Sequence, residues 1–113
     1  MNLSDPAAAA ALQALLAATL AGQDAGGAVI CLCADWCDTC RDYRAAFDQA
    51  AAAHPALIFR WLDIEDEAAA LGDLDVETFP TLLIGTARAL RFAGPVLPQA
   101  GHLARLLQSL QAQ

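Results

Sequence analysis

Leu12, Leu15, Leu16 and Leu20 recur three or four residues apart within an Ala-rich run from Pro6 to Ala21, which predicts a helix with one apolar stripe. Asp5 precedes Pro6 as a cap, proline suits the first helical position because no N–H is needed there, and Gly22 is the terminator. After a joint from Gln23 to Gly27, Ala28 to Cys33 is continuously apolar and short, the pattern of a central strand buried on both faces. From about Cys37 to Ala53 the period becomes helical, with Cys40, Tyr43, Phe47 and Ala50 on one side, and His54-Pro55 ends it. Leu57 to Leu62 predicts a second buried strand and Glu65 to Leu71 a short helix before Gly72. Thr81 to Ile84 and Arg88 to Ala93 predict a hairpin turning at Gly85-Thr86-Ala87. Gly94-Pro95 and Pro98 then interrupt regular structure, and Leu103, Leu106, Leu107 and Leu110 mark a closing amphipathic helix. The fold class is therefore α/β.

Composition narrows the picture. At 113 residues and 58% hydrophobic content, one domain with a single core is expected over 1–113, divided into an N-terminal helix (1–22) and a core (28–113). The net charge is −7, and the six basic residues are all arginine. Without a basic cluster, neither nucleic acid nor an anionic membrane surface is an expected partner. The Ala-rich start lacks the positive region of a secretory signal and carries Asp5, Pro6, Gln13 and Asp24, so it reads as folded protein, and a soluble, monomeric, cytoplasmic domain is expected. His54 and His102 are expected to face solvent. The acidic run Asp63, Glu65, Asp66, Glu67 reads as a solvated helix start rather than a metal site.

The four cysteines, Cys31, Cys33, Cys37 and Cys40, lie within ten positions of one another, so they cannot staple distant parts of the chain. Redox catalysis and metal binding are the two chemistries left open. A buried strand leading into Ala34-Asp35-Trp36-Cys37-Asp38-Thr39-Cys40 and a helix, with Phe79-Pro80-Thr81 opening a later hairpin and Gly94 after it, resembles the thioredoxin family from about Ala28 to the C-terminus. The resemblance implies a central mixed four-stranded sheet flanked by helices. Here the N-terminal helix stands before the sheet, and the family's first strand is not expected. It also implies a cis Pro80 beside Cys37, with the Phe79 backbone pairing an extended substrate segment.

By the same resemblance, Cys37 at the helix start is the attacking thiol, since free amides there favour the thiolate that does the chemistry. Cys40, one turn on and more buried, is the resolving thiol, and Cys37–Cys40 is the redox-active disulfide. Trp36, Asp38, Thr39, Phe79, Pro80 and Gly94 make up the expected substrate-binding surface, with Trp36, Phe79 and Pro80 as its apolar rim. No bound cofactor and no metal are expected; the partners are protein disulfides and an external reductase or thiol donor. Three departures stand out. Cys31 occupies the place of the family's buried Asp and Trp61 that of its Lys partner, Cys33 replaces an aromatic residue, and Asp38-Thr39 replaces Gly-Pro. Cys31 and Cys33 share one face of their strand and read as small packing residues or accessory thiols. A bond between them is disfavoured by their parallel side chains. The alternatives are a four-thiolate metal or iron–sulfur protein and an interaction module on the same fold whose redox activity is incidental.

Overall fold

The structure is a computed structural model that describes residues 6–34, 36–65, 80–95 and 100–111. In chain order the elements are α1 (Pro6–Leu20), β1 (Gly27–Cys33), α2 (Asp38–Ala53), β2 (Leu57–Asp63), β3 (Thr81–Gly85), β4 (Leu90–Pro95) and α3 (Ala100–Gln111). The expected cap at Asp5, the helix over 66–71 with Gly72, and Phe79 lie outside the described residues.

The sheet runs β2-β1-β3-β4. β1 is parallel to β2 and antiparallel to β3, and β3 is antiparallel to β4, so the sheet is mixed and β1 lies inside it. All seven residues of β1 are buried, as its unbroken apolar sequence requires.

Strand alternation divides the core into two layers. Ala28, Ile30 and Leu32 pack with Leu12, Leu15, Leu16 and Leu20 of α1, the four leucines of the predicted stripe. Val29, Cys31 and Cys33 point the other way, into a layer with Cys40, Tyr43 and Phe47 of α2 and Leu103 and Leu107 of α3. Burying a leucine of this kind is worth about 1.5–3 kcal/mol. Gly22 ends α1 with φ +74°, the left-handed conformation that glycine adopts without a Cβ penalty. Among the described residues no helix is long and apolar enough to cross a membrane.

Two boundaries differ from the sequence expectation. The fourth strand begins at Leu90, not Arg88, because Thr86 closes a turn: its hydroxyl accepts from the Arg88 and Ala89 amides at 3.2 and 3.1 Å, and its own amide donates to Ala89 O at 2.8 Å. The same strand continues through Gly94 and Pro95 instead of stopping before them, pairing Gly94 with Leu82 and Pro95 with Thr81. β4 is an edge strand, where proline's missing N–H costs no ladder bond. His54, expected in solvent, is half-buried: it caps α2 by donating its amide to Ala50 O and Ala51 O, and its ring stacks on Phe59 at 6.5 Å.

Candidate functional site

β1 carries its last residue, Cys33, to the end of the sheet where α2 begins. The crossing between them is tight, with the Cys37 amide donating to Ala34 O at 3.0 Å and the Arg41 amide to Cys37 O at 3.2 Å. Cys37 is therefore the N-cap residue of α2, in extended backbone conformation, and its side chain makes no capping hydrogen bond. It is a free thiol, half-buried, and packs against the core layer formed with α2 and α3. Cys40, one turn further on, is 1% exposed.

The disulfide in this structure joins Cys40 to Cys33, whereas the family resemblance pairs Cys40 with Cys37 and leaves Cys33 as a packing residue or accessory thiol. The reason is the meeting of two buried faces. Cys33 projects from β1 toward α2, Cys40 projects from α2 toward β1, and their Cα atoms are 5.8 Å apart, within the range a disulfide spans. The clue was present in the two periodicities, since strand alternation put Cys33 and helical spacing put Cys40 on facing surfaces. Cys31 is not bonded to Cys33, as the strand geometry required, but its Sγ lies 3.6 Å from Cys33 Sγ. With Cys33 in a disulfide, the Cys31 S–H is the donor of that contact.

Cys31 is fully buried, and burial pushes its thiol up to about 12 against a smaller lowering by the Arg44 guanidinium. Its register partner across the β1–β2 pair is Trp61. Phe47 meets Trp61 edge-on at 5.5 Å, and the Arg44 guanidinium lies 4.8 Å over the Trp61 ring, a cation–π contact. The Tyr43 hydroxyl is buried in this layer without a hydrogen-bond partner. Burial, and after it the neighbouring Cys31, raises its pKa above the ordinary tyrosine range.

Around the thiols, Trp36 is 63% exposed, and its Nε1 donates to Glu65 Oε1 at 3.1 Å, fixing an apolar ring at the surface beside Cys37. Asp38 and Thr39 are exposed, and Asp38 pairs with Arg41. Pro80 is fully buried. Because Thr81 pairs with Leu32 in antiparallel register, Pro80 falls level with Cys33, at the thiol end of the sheet. Gly94, opposite Leu82, is buried in β4. The structure thus gathers Trp36, Cys37, Asp38, Thr39, Cys40, Pro80 and both upstream cysteines at one end of the sheet. Among the described residues no group of three or more His, Cys, Asp or Glu side chains is arranged to hold a metal ion.

Comparisons with known proteins agree with this architecture. The family model for thioredoxin matches residues 17–96. The protein named "Putative thioredoxin 2" of Streptomyces coelicolor is 32% identical over 68 residues, 59% of this chain and 51% of its own length, so the chain spans about half the length of that curated relative. Among solved structures, Deadhead, the germline-specific thioredoxin of Drosophila melanogaster, superposes with a TM-score of 0.68 at 15% identity, covering 80% of this chain and 85% of its own. Thioredoxin O2 of Arabidopsis thaliana in its oxidised state gives 0.64 at 20% identity, covering 89% and 84%. At such identities the two structures share the fold.

Proposed function

The chain belongs to the thioredoxin family, and from that premise we propose that it is a thiol–disulfide oxidoreductase that reduces protein disulfides, with Cys37 as attacking and Cys40 as resolving thiol. The observation that carries this reading is the placement of Cys37 as a free, half-buried thiol at the N-cap position of α2, one turn before Cys40, a cysteine that forms disulfides. In the reduced chain, with the Cys33–Cys40 bond opened by an external dithiol, the Cys37 thiolate attacks a substrate disulfide, forming a mixed disulfide and releasing one substrate thiol. Cys40 then attacks Cys37 Sγ, releasing the second thiol and leaving a Cys37–Cys40 bond for an external dithiol donor to reduce. Residues three apart on a helix have side chains close enough for this step. Trp36 supplies the exposed apolar surface that a substrate segment docks against, and, as the family resemblance implies, the Phe79 backbone is the place for extended pairing.

A four-thiolate metal centre requires Cys33 and Cys40 as separate thiolates, so it would compete with the bond that joins them in this structure. The experiment is dithiothreitol-driven reduction of insulin. Turnover that disappears in Cys37→Ser, together with a trapped mixed disulfide in Cys40→Ser, supports the reading; full turnover in Cys37→Ser removes Cys37 from the mechanism.

A further inference from the structure

Four sulfurs, not two, lie in one path at this site. Cys40 is bonded to Cys33, Cys31 Sγ touches Cys33 Sγ at 3.6 Å, and Cys37 borders the same layer from the solvent side. Both members of the bond are 1% exposed, so a partner protein has no direct approach to either sulfur, and Cys37 is the thiol with access to both solvent and the buried pair. A disulfide that forms at the surface must therefore be carried inward, and a buried one must be opened from Cys37.

We propose that Cys33 is a third redox residue of this enzyme, which takes over the disulfide from Cys37 by internal exchange and stores it as the buried Cys33–Cys40 bond. The inference rests on the assignment of Cys37 and Cys40 made above. In the step, the Cys33 thiolate attacks Cys40 Sγ of the Cys37–Cys40 disulfide; the Cys33–Cys40 bond forms, the Cys37–Cys40 bond breaks, and Cys37 leaves as thiolate. The proton given up by Cys33 is balanced by the one Cys37 takes from solvent. No electrons are gained or lost, because the oxidising equivalents came from the substrate disulfide. Reduction runs the reverse exchange: Cys37 attacks Cys40, Cys33 leaves, and the Cys37–Cys40 pair, reached through Cys37, is opened by an external dithiol. Cys31 is where the path ends. Its thiol stays protonated across the neutral range, so it is a hydrogen-bond donor to Cys33 Sγ and not a fourth nucleophile.

The consequence is an oxidised protein that keeps its attacking thiol free. The test is to oxidise the reduced chain with insulin disulfide, pulse it with N-ethylmaleimide without denaturant, quench in acid, and map bonds and labels by peptic digestion and mass spectrometry. The expected map has a Cys33–Cys40 peptide and one label, on Cys37. A Cys37–Cys40 peptide with no native-state label overturns the relay while leaving the oxidoreductase reading intact, provided that insulin turnover persists. In Cys33→Ala, the oxidised form should lose the Cys37 label because Cys37–Cys40 is then the terminal pair; should that variant fail to fold, the wild-type map decides alone. In Cys37→Ser, assembled with Cys33–Cys40 closed, native reduction by dithiothreitol should be lost. A bond that dithiothreitol still opens at the wild-type rate needs no gate at Cys37, which overturns the relay. A Cys33–Cys40 map without any turnover makes the bond structural and overturns both proposals.

Discussion

Cys31 and Trp61 are register partners across the parallel β1–β2 pair, at the two positions where the thioredoxin pattern has an acid and a lysine. By the family resemblance both charges of that pair are missing here: a buried thiol stands on one strand and, on the other, an aromatic ring in contact with Phe47 and the Arg44 guanidinium. Leaving either charge without the other would have stranded it in the core.

That exchange removes a proton acceptor from the neighbourhood of Cys40, since the Cys31 thiol, pushed up to about 12, takes no proton near neutrality. Cys31→Asp should accelerate resolution of a preformed mixed disulfide several-fold between pH 7 and 8.5, read by stopped-flow, because a carboxylate there serves as a base. It should also lower stability by about 1–3 kcal/mol, the cost of a buried polar group without its partner. An unchanged rate in a folded variant would show that proton transfer does not limit resolution.

The buried Cys31 thiol also makes stability depend on alkali. Its folded pKa lies above the unfolded value, so the unfolded chain releases this proton near pH 9 while the folded chain holds it to about 12. The contribution is complete below pH 9 and is lost as pH rises toward 12. Denaturant melts from pH 8 to 10.5 should therefore fall more steeply for the wild type than for Cys31→Ala, which has no group to titrate at this place; parallel curves would refute the assignment.

Tyr43→Phe should raise stability by about 1 kcal/mol, read as a higher urea midpoint with unchanged slope. The hydroxyl is buried without a hydrogen-bond partner, so its removal relieves a desolvation penalty and preserves the ring's packing on the helix–sheet layer. A loss on removing the hydroxyl would mean that it is satisfied in solution.

Trp36→Ala tests the docking surface. The ring is 63% exposed and contributes little to the core, so the melt should stay within about 0.5 kcal/mol of wild type, while KM for a protein disulfide rises several-fold and kcat changes little. A drop in kcat alone would place the ring in orienting Cys37 and not in binding substrate.

Much of this architecture was legible in residue periodicity. The leucine stripe of α1, the unbroken apolar run of β1 and the Cys40, Tyr43, Phe47 face of α2 each became a buried surface in the position expected, because each is a repeat set by backbone geometry. The ends of β4 were not legible. Gly94-Pro95 reads locally as a break, and only the strand's edge position in the sheet makes that sequence harmless. The Cys33–Cys40 bond was hidden for a related reason. A C-x-x-C spacing is a local signal, whereas the approach of Cys33 to Cys40 depends on how α2 settles onto β1, a tertiary distance that no single segment encodes.

The first helix also bears on whether the chain can be divided. Gln13 Nε2 donates to the carbonyls of Thr86 and Ala87 at 3.0 Å each, at the β3–β4 turn, and Arg60 of β2 donates to Thr19 Oγ1 at 3.0 Å near the other end of α1. α1 is thus fastened at both margins of the sheet, like a brace nailed across four planks. Between the fastenings its leucines roof Ile30, Leu32, Leu62 and Leu83. A fragment starting at Ala28 would keep every cysteine yet present that apolar surface bare to its neighbours, so shortening the chain from its N-terminus is expected to give precipitation before it gives a smaller working unit.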